Sequence, residues 1–175
     1  IKTANRAVAG NNGDVFIGGQ YNNSGAFVRT NASSAPTIRY YSSLTPVIDL
    51  AYGDDILFMI TDNNRIVWIP SPTADATMYR GPFVNGTVVK CAPLGRNIAV
   101  IARTTSGYSL DIYETNNNDT TIRLIFDMQI SSNASDQIVG VNRIGDYLAV
   151  IGIDGENNGF IFVVDLNAYR GQKYM

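Results

Sequence analysis

Gly145-Asp146-Tyr147-Leu148-Ala149-Val150-Ile151 decides the fold, because the chain repeats its form three more times. The other copies are Gly13-Asp14-Val15-Phe16-Ile17, Gly53-Asp54-Asp55-Ile56-Leu57-Phe58-Met59-Ile60 and Gly95-Arg96-Asn97-Ile98-Ala99-Val100-Ile101. In each, a glycine leads within two residues into an apolar run, and a polar turn and a second apolar run follow. The glycines lie 40, 42 and 50 residues apart. Self-similarity at such a period means an array of equal supersecondary units.

The flanks of the repeat are alike too. A short apolar strand precedes each glycine: Arg6-Ala7-Val8-Ala9, Val47-Ile48-Asp49-Leu50-Ala51, Val88-Val89-Lys90-Cys91-Ala92 and Ile138-Val139-Gly140-Val141. The return strands are Ala26-Phe27-Val28, Arg65-Ile66-Val67-Trp68-Ile69, Tyr108-Ser109-Leu110-Asp111-Ile112-Tyr113 and Phe160-Ile161-Phe162-Val163-Val164. A fourth strand alternates Thr and Arg with apolar residues at Thr37–Tyr40, Thr77–Arg80 and Thr121–Leu124, as suits a half-exposed edge. The last unit has Tyr169–Tyr174 in that place, a weaker match.

Four antiparallel strands per unit at this period form a β-propeller blade. The sequence therefore predicts an all-β fold: a β-propeller of four four-stranded antiparallel blades, at about residues 1–45, 46–86, 87–136 and 137–175. Hairpin turns are expected near 21–25, 62–64, 104–107 and 154–159, and essentially no helix, since no window keeps a 3.6-residue apolar period. A two-sheet sandwich would not so readily repeat one four-strand order four times. The four blades make a complete small ring or a portion of a larger one. The opening at Ile1 rather than Met fits a processed or excised piece.

Composition excludes several classes of function. With 175 residues, 45% of them hydrophobic, the chain can bury a sizeable core. Net charge is −2, with 10 Arg and 3 Lys forming no basic stripe, so no nucleic-acid partner is expected. No run of 18 apolar residues occurs, so no transmembrane segment is expected. The absence of His excludes His-dependent triads and His-ligated metals within the chain. Cys91 has no intrachain disulfide partner and cannot alone make a thiolate zinc site; in its apolar segment it reads as a small buried residue.

Gly145–Val150 followed by Asn158-Gly159-Phe160-Ile161-Phe162 resembles the FG-GAP-type repeat of secreted and surface propellers. Val15-Phe16-Ile17-Gly18-Gly19 resembles the apolar-then-Gly-Gly step of kelch-like repeats. The resemblance covers the whole chain as architecture. The FG-GAP aspartates are missing from the first three units and the kelch doublet from the last three. A WD40 signature fails for want of any His and of a Trp-Asp pair at Trp68. What the resemblance implies is the propeller fold; it carries over no catalytic residue.

The sharpest local pattern is Asp154-Gly155-Glu156-Asn157-Asn158-Gly159, with Asp165 eleven residues after Asp154. Asp154, Glu156, Asn158 and Asp165 then stand at positions one, three, five and twelve, the spacing at which a tight loop converges oxygens on Ca²⁺. A polar hairpin turn explains the same residues, and the return strand Phe160–Val164 would carry Asp165 away. The turn reading is preferred, with no metal or other cofactor expected. Asp14, Asp54, Asp55 and Asp146 recur beside the repeat glycine and are expected to bond turn backbone N–H groups. No Ser-x-Asp-x-Gly box of a sialidase-like propeller is present.

Five sequons, at Asn22, Asn31, Asn85, Asn118 and Asn133, are about twice the number that chance would give this composition. Asn22, Asn85 and Asn133 are expected on one propeller face, Asn31 and Asn118 on the other. Tyr40, Tyr41, Tyr79, Tyr108, Tyr113 and Phe126 are expected to pack between blades rather than stack on sugars. Together these features point to a non-enzymatic binding or adhesion module that presents propeller loops to a protein or glycan partner. Its expected location is extracellular, on a cell surface or on a virion, as a glycoprotein. The alternatives are a structural subunit of a filament, virion or appendage, and part of a carbohydrate-active propeller enzyme whose acids come from other blades.

Overall fold

The computed structural model of the chain describes residues 3–41, 43–72 and 76–175, with backbone alone at Ser34, Tyr40 and Tyr41. Among the described residues sixteen strands form four separate four-stranded sheets, each a meander in chain order. The first holds β1 (Thr3–Ala9), β2 (Val15–Tyr21), β3 (Ser24–Asn31) and β4 (Ser34–Tyr41). The second holds β5 (Val47–Gly53), β6 (Ile56–Thr61), β7 (Arg65–Pro70) and β8 (Tyr79–Phe83). The third holds β9 (Thr87–Leu94), β10 (Asn97–Thr104), β11 (Gly107–Thr115) and β12 (Ile122–Ser131). The fourth holds β13 (Gln137–Ile144), β14 (Tyr147–Ile153), β15 (Gly159–Asp165) and β16 (Arg170–Tyr174). Among the described residues the one helical element is a 3-10 turn at Asn11–Gly13.

The first strands pack in sequence, β1 on β5, β5 on β9 and β9 on β13, so the sheets radiate from a shared inner edge. Three apolar layers fill the joints. Phe16, Phe27, Leu50, Leu57 and Met59 join the first sheet to the second. Phe58, Ile60, Trp68, Ile98 and Val100 join the second to the third. Ile101, Leu110, Ile112, Leu148, Val150 and Phe162 join the third to the fourth. The middle strands of the two inner sheets touch a layer on each side, which is why they read as unbroken apolar runs rather than alternating ones.

The repeat glycine does not keep one structural place. Gly95 and Gly145 open two-residue hairpin turns with φ of 70° and 60°, where a side chain would be strained. Gly53 instead ends β5, and Asp54-Asp55 form the turn, with φ of 46° and 61° as a type I′ hairpin requires. A Cβ on Gly53 would lie 2.7 Å from the Gly95 carbonyl oxygen, so glycine serves close approach there.

For Asp14 and Asp55 the expectation that the repeated aspartates bond turn N–H groups is corrected. Asp14 takes Arg29 Nε and Nη2 at 3.0 and 2.7 Å and Asn31 Nδ2 at 3.0 Å. The guanidinium first, then the amide, holds its carboxyl below the ordinary range. Asp55 accepts the Tyr52 and Ser71 hydroxyls. Asp14 lies in the β1–β2 connection and Asp55 in the β5–β6 turn, and each carboxylate ties that turn to the third strand of its own sheet or to the residue that follows it.

Candidate functional site

Within each sheet the turn between second and third strands opens at the same end as the connection to the next sheet, because successive strands are antiparallel. That end carries Asn22, Asn85 and Asn133; the opposite end carries Asn31 and Asn118. At the joint of the third and fourth sheets these loops enclose a cleft of about 460 Å³. One wall is the β12–β13 connection with Ser132, Asn133 and Asp136, and the other is the β14–β15 turn with Asp154, Gly155 and Glu156. A second cleft, of about 410 Å³, lies at the preceding joint between Asn85-Gly86-Thr87 and Arg103-Thr104-Thr105.

The floor of the larger cleft is organised by Asp136, which is 3% exposed. Its carboxylate accepts Ser131 Oγ at 2.6 Å and the Gly155 N–H at 3.2 Å, and Lys173 Nζ approaches to 3.6 Å. Its carbonyl accepts the Tyr108 hydroxyl at 2.7 Å. Lys173 also lies 4.0 Å over the Phe160 ring, so the ammonium is held by a carboxylate and an aromatic face together. This anchoring fixes the two walls relative to one another. Asp136 and Lys173 escaped the sequence reading, since neither belongs to a local motif and 37 residues separate them.

The Asp154 turn closes on itself. Its Oδ1 accepts the Glu156 and Asn158 N–H groups at 2.9 and 2.8 Å, and Oδ2 accepts Asn158 Nδ2 at 3.2 Å. Those bonds, the Asn158 N–H above all, hold the carboxyl below its usual range. Asp154, Glu156 and Asn158 therefore share one turn. Asp165 lies at the far end of β15, about 20 Å away at the strand rise, where it accepts the Asn167 and Ala168 N–H groups. The twelve-residue ligand spacing does not converge. Among the described residues no three His, Cys, Asp or Glu side chains gather in a way that would hold a metal.

The tyrosines and Phe126 are engaged in packing. Tyr79 stacks on Trp68 at 5.6 Å, Phe126 meets Tyr169 at 5.0 Å, and Tyr108 and Tyr113 are buried. The side chains of Tyr40 and Tyr41 lie outside the described residues. Cys91 is buried, and burial pushes its thiol well above the ordinary range. Asp111, raised chiefly by burial, sits inside the sheet stack under Tyr113, away from the linings of both clefts. Of the sequon amides, Asn22, Asn85, Asn118 and Asn133 are exposed, whereas Asn31 Nδ2 donates to Asp14.

No protein-family model matches the chain, and no curated protein matches it in sequence. Solved structures do match in shape. Sqt1 of Saccharomyces cerevisiae superposes with a TM-score of 0.68 at 12% identity, over 99% of this chain and 48% of that one. A chain of the mitotic checkpoint complex gives 0.70 at 11%, over 98% and 52%. The N-terminal domain of Nup159 gives 0.57 at 10%, over 98% and 47%. These are propellers, and the four radiating meanders superpose on them end to end. The fold is a β-propeller. The described residues form four blades, and the chain spans about half the length of the structures it matches. No helix among the described residues is long and apolar enough to cross a membrane.

Proposed function

We propose that this propeller is a non-enzymatic binding module displayed outside the cell, and that a protein partner docks on the face carrying the inter-blade loops. The observation that supports this most is the pair of adjacent clefts on that face, one at each of two successive blade joints. Their exposed walls carry amides, hydroxyls and charged groups that hydrogen-bond a polypeptide, and the Ser131 hydroxyl beside the Asp136 carboxylate is buried beneath them. A protein partner is also in keeping with the propeller fold of a chain in the mitotic checkpoint complex.

The test alters one exposed residue at each cleft, Glu156→Arg and Thr105→Arg together, against a control pair on the opposite face, Asn117→Arg and Arg123→Glu. The wild-type chain and the control should retain the same protein from native material, and the cleft variant should lose it. Retention by the cleft variant, or equal loss by both, sinks the reading.

Docking at the clefts and glycosylation at every sequon exclude one another, because Asn85 and Asn133 line the clefts. Asn31 is tied to Asp14. The expected result of glycopeptide mapping on secreted material is therefore occupancy at Asn22 and Asn118, with Asn85 and Asn133 bare. Sugars at those two would move the partner to another surface; bare asparagine at all five would remove the case for a glycosylating secretory route.

In this reading the Asp154 turn works without a cation, since donors of its own turn meet both carboxylate oxygens, the Glu156 and Asn158 N–H groups on Oδ1 and Asn158 Nδ2 on Oδ2. A melting curve should be the same with and without EDTA. A downward shift of several degrees, abolished in Asp154→Ala, would make this loop a cation site instead.

A further inference from the structure

Three Asn-Gly pairs occur in the chain, at Asn12-Gly13, Asn85-Gly86 and Asn158-Gly159. Such a pair is chemically distinct, because glycine has no side chain to shield its nitrogen from the amide carbon of the asparagine before it. The structure treats the three differently. Asn158 is held in place: its N–H donates to Asp154 Oδ1 at 2.8 Å, its Nδ2 to Asp154 Oδ2 at 3.2 Å, and its carbonyl accepts the Asp154 N–H at 2.9 Å. Asn12 sits in the 3-10 turn with φ of 55° and ψ of 29°, which turns the Gly13 nitrogen to the far side of the Cα–C bond from the side chain. That turn is closed by the Asp14 N–H on the Asn11 carbonyl at 3.0 Å and the Gly10 N–H on the Asp14 carbonyl at 2.8 Å.

Asn85 has none of these restraints. It is exposed in the connection between β8 and β9, on the wall of the second cleft. Among the described residues neither its side-chain amide nor the Gly86 N–H has a hydrogen-bond partner. The flanks are fixed, since the Val84 and Val88 N–H groups both bond Asn64, at 2.8 and 2.9 Å. Gly86 has φ of 105°, where a side chain is strained, and a Cβ there would lie 2.5 Å from the Arg103 carbonyl oxygen. The loop therefore requires glycine, and the reactive pair comes with it.

We propose that Asn85 is a self-modification site, at which the chain converts the asparagine to aspartate and isoaspartate with water as the co-reactant. The Gly86 nitrogen attacks Asn85 Cγ and gives up its proton to solvent; the Cγ–Nδ2 bond breaks and ammonia leaves, which closes a cyclic imide. Water then opens the imide at either carbonyl. One water is taken up and one ammonia released, and nothing is oxidised or reduced. The product puts a carboxylate on the cleft wall that faces Arg103-Thr104-Thr105 and removes the Asn85 sequon. In the isoaspartate form the main chain also gains a carbon between Val84 and Val88, the two points at which Asn64 holds the connection. Age thus changes the charge and the path of one inter-blade loop.

Peptide mapping by mass spectrometry tests this on the folded chain, produced without glycosylation and held at mildly alkaline pH. A hydrogen bond that must open before the attack slows it by about fivefold. With two or three such bonds at the other pairs, Asn85 should convert at least about tenfold faster than Asn12 or Asn158, with isoaspartate among its products. In urea the three pairs should convert at similar rates, because the fold no longer separates them. Asp154→Ala removes the restraint on Asn158 and should raise its rate while leaving Asn85 unchanged. Asn85→Ser should abolish the early release of ammonia. Conversion of Asn85 in the folded chain no faster than that of Asn12 or Asn158 overturns the proposal. So does a preference for Asn85 that persists in urea, since it would belong to the local sequence. Ammonia released from Asn85→Ser at the wild-type rate, or an Asn158 rate indifferent to Asp154→Ala in a folded variant, overturns it as well. None of these measurements involves a partner, so they succeed or fail apart from the docking reading.

Discussion

Trp68→Ala is expected to lower the unfolding free energy by about 4 kcal/mol, a large part of the 5–15 kcal/mol that a typical domain holds. The indole is 1% exposed and fills the joint between the second and third blades beside Phe58, Ile98 and Val100. It stacks on Tyr79 from its own sheet and donates Nε1–H to the Asp119 carbonyl at 2.6 Å. Asp119 belongs to the β11–β12 connection of the next blade, where Arg96 also holds it. The side chain is therefore both filler and latch. Trp68→Phe separates the two roles: it keeps most of the packing and leaves the Asp119 carbonyl without its donor, at a cost of about 1–3 kcal/mol. Urea titration reads both. Equal midpoints for the two variants would mean that the joint is not packed around the indole.

How the sequence displays this fold follows from which interactions are local. The repeat unit, its hairpins and the absence of long helix are legible because turn chemistry and apolar runs lie within a few residues of one another. Asn22-Asn23 and Asp54-Asp55 both adopt the positive-φ pair of a type I′ turn, and both dipeptides are visible as turn signals. The bulge at Asn5, Ile48, Val89 and Val139 is not legible. Its residue types differ, and only the register with the second strand defines it.

The site was harder still. Asp136 and Lys173 meet through the fold, and Asp14 finds Arg29 across a hairpin rather than in its own turn. The Asp154 spacing was read in both ways the residues permit. The length of β15 decides between them, because seven extended residues carry Asp165 to the other end of the blade. The unbroken apolar runs of β14 and β15 were as visible as those of β10 and β11. Which of these runs is covered on both faces needed the structure, where Ile101 and Leu110 are buried and Ile151 and Ile161 are exposed.

Asp49→Ala is expected to cost about 3 kcal/mol, through a mechanism distinct from packing. Asp49 interrupts the apolar run Val47-Ile48-Asp49-Leu50-Ala51, and the sequence reading passed over it as part of a strand. Its Oδ2 accepts the buried Cys91 N–H of β9 at 2.9 Å, and its Oδ1 accepts the Leu50 N–H at 3.0 Å and faces Arg6 Nε of β1 at 3.4 Å. One carboxylate thus ties the inner strands of three successive blades. Alanine leaves the Cys91 N–H without an acceptor in a place water does not reach. The Arg6 guanidinium, with 45% of its side chain exposed, turns to solvent at little cost. Asp49→Asn keeps an acceptor oxygen for Cys91 and should cost about 1 kcal/mol. Cys91 is the chain's own reporter: it is buried, so a thiol reagent reaches it only when the joint opens. Three kcal/mol corresponds to labelling faster by about 100-fold in Asp49→Ala at equal pH. Labelling at the wild-type rate would show that the three strands stay together without the carboxylate, and that the apolar layers alone set the blade order.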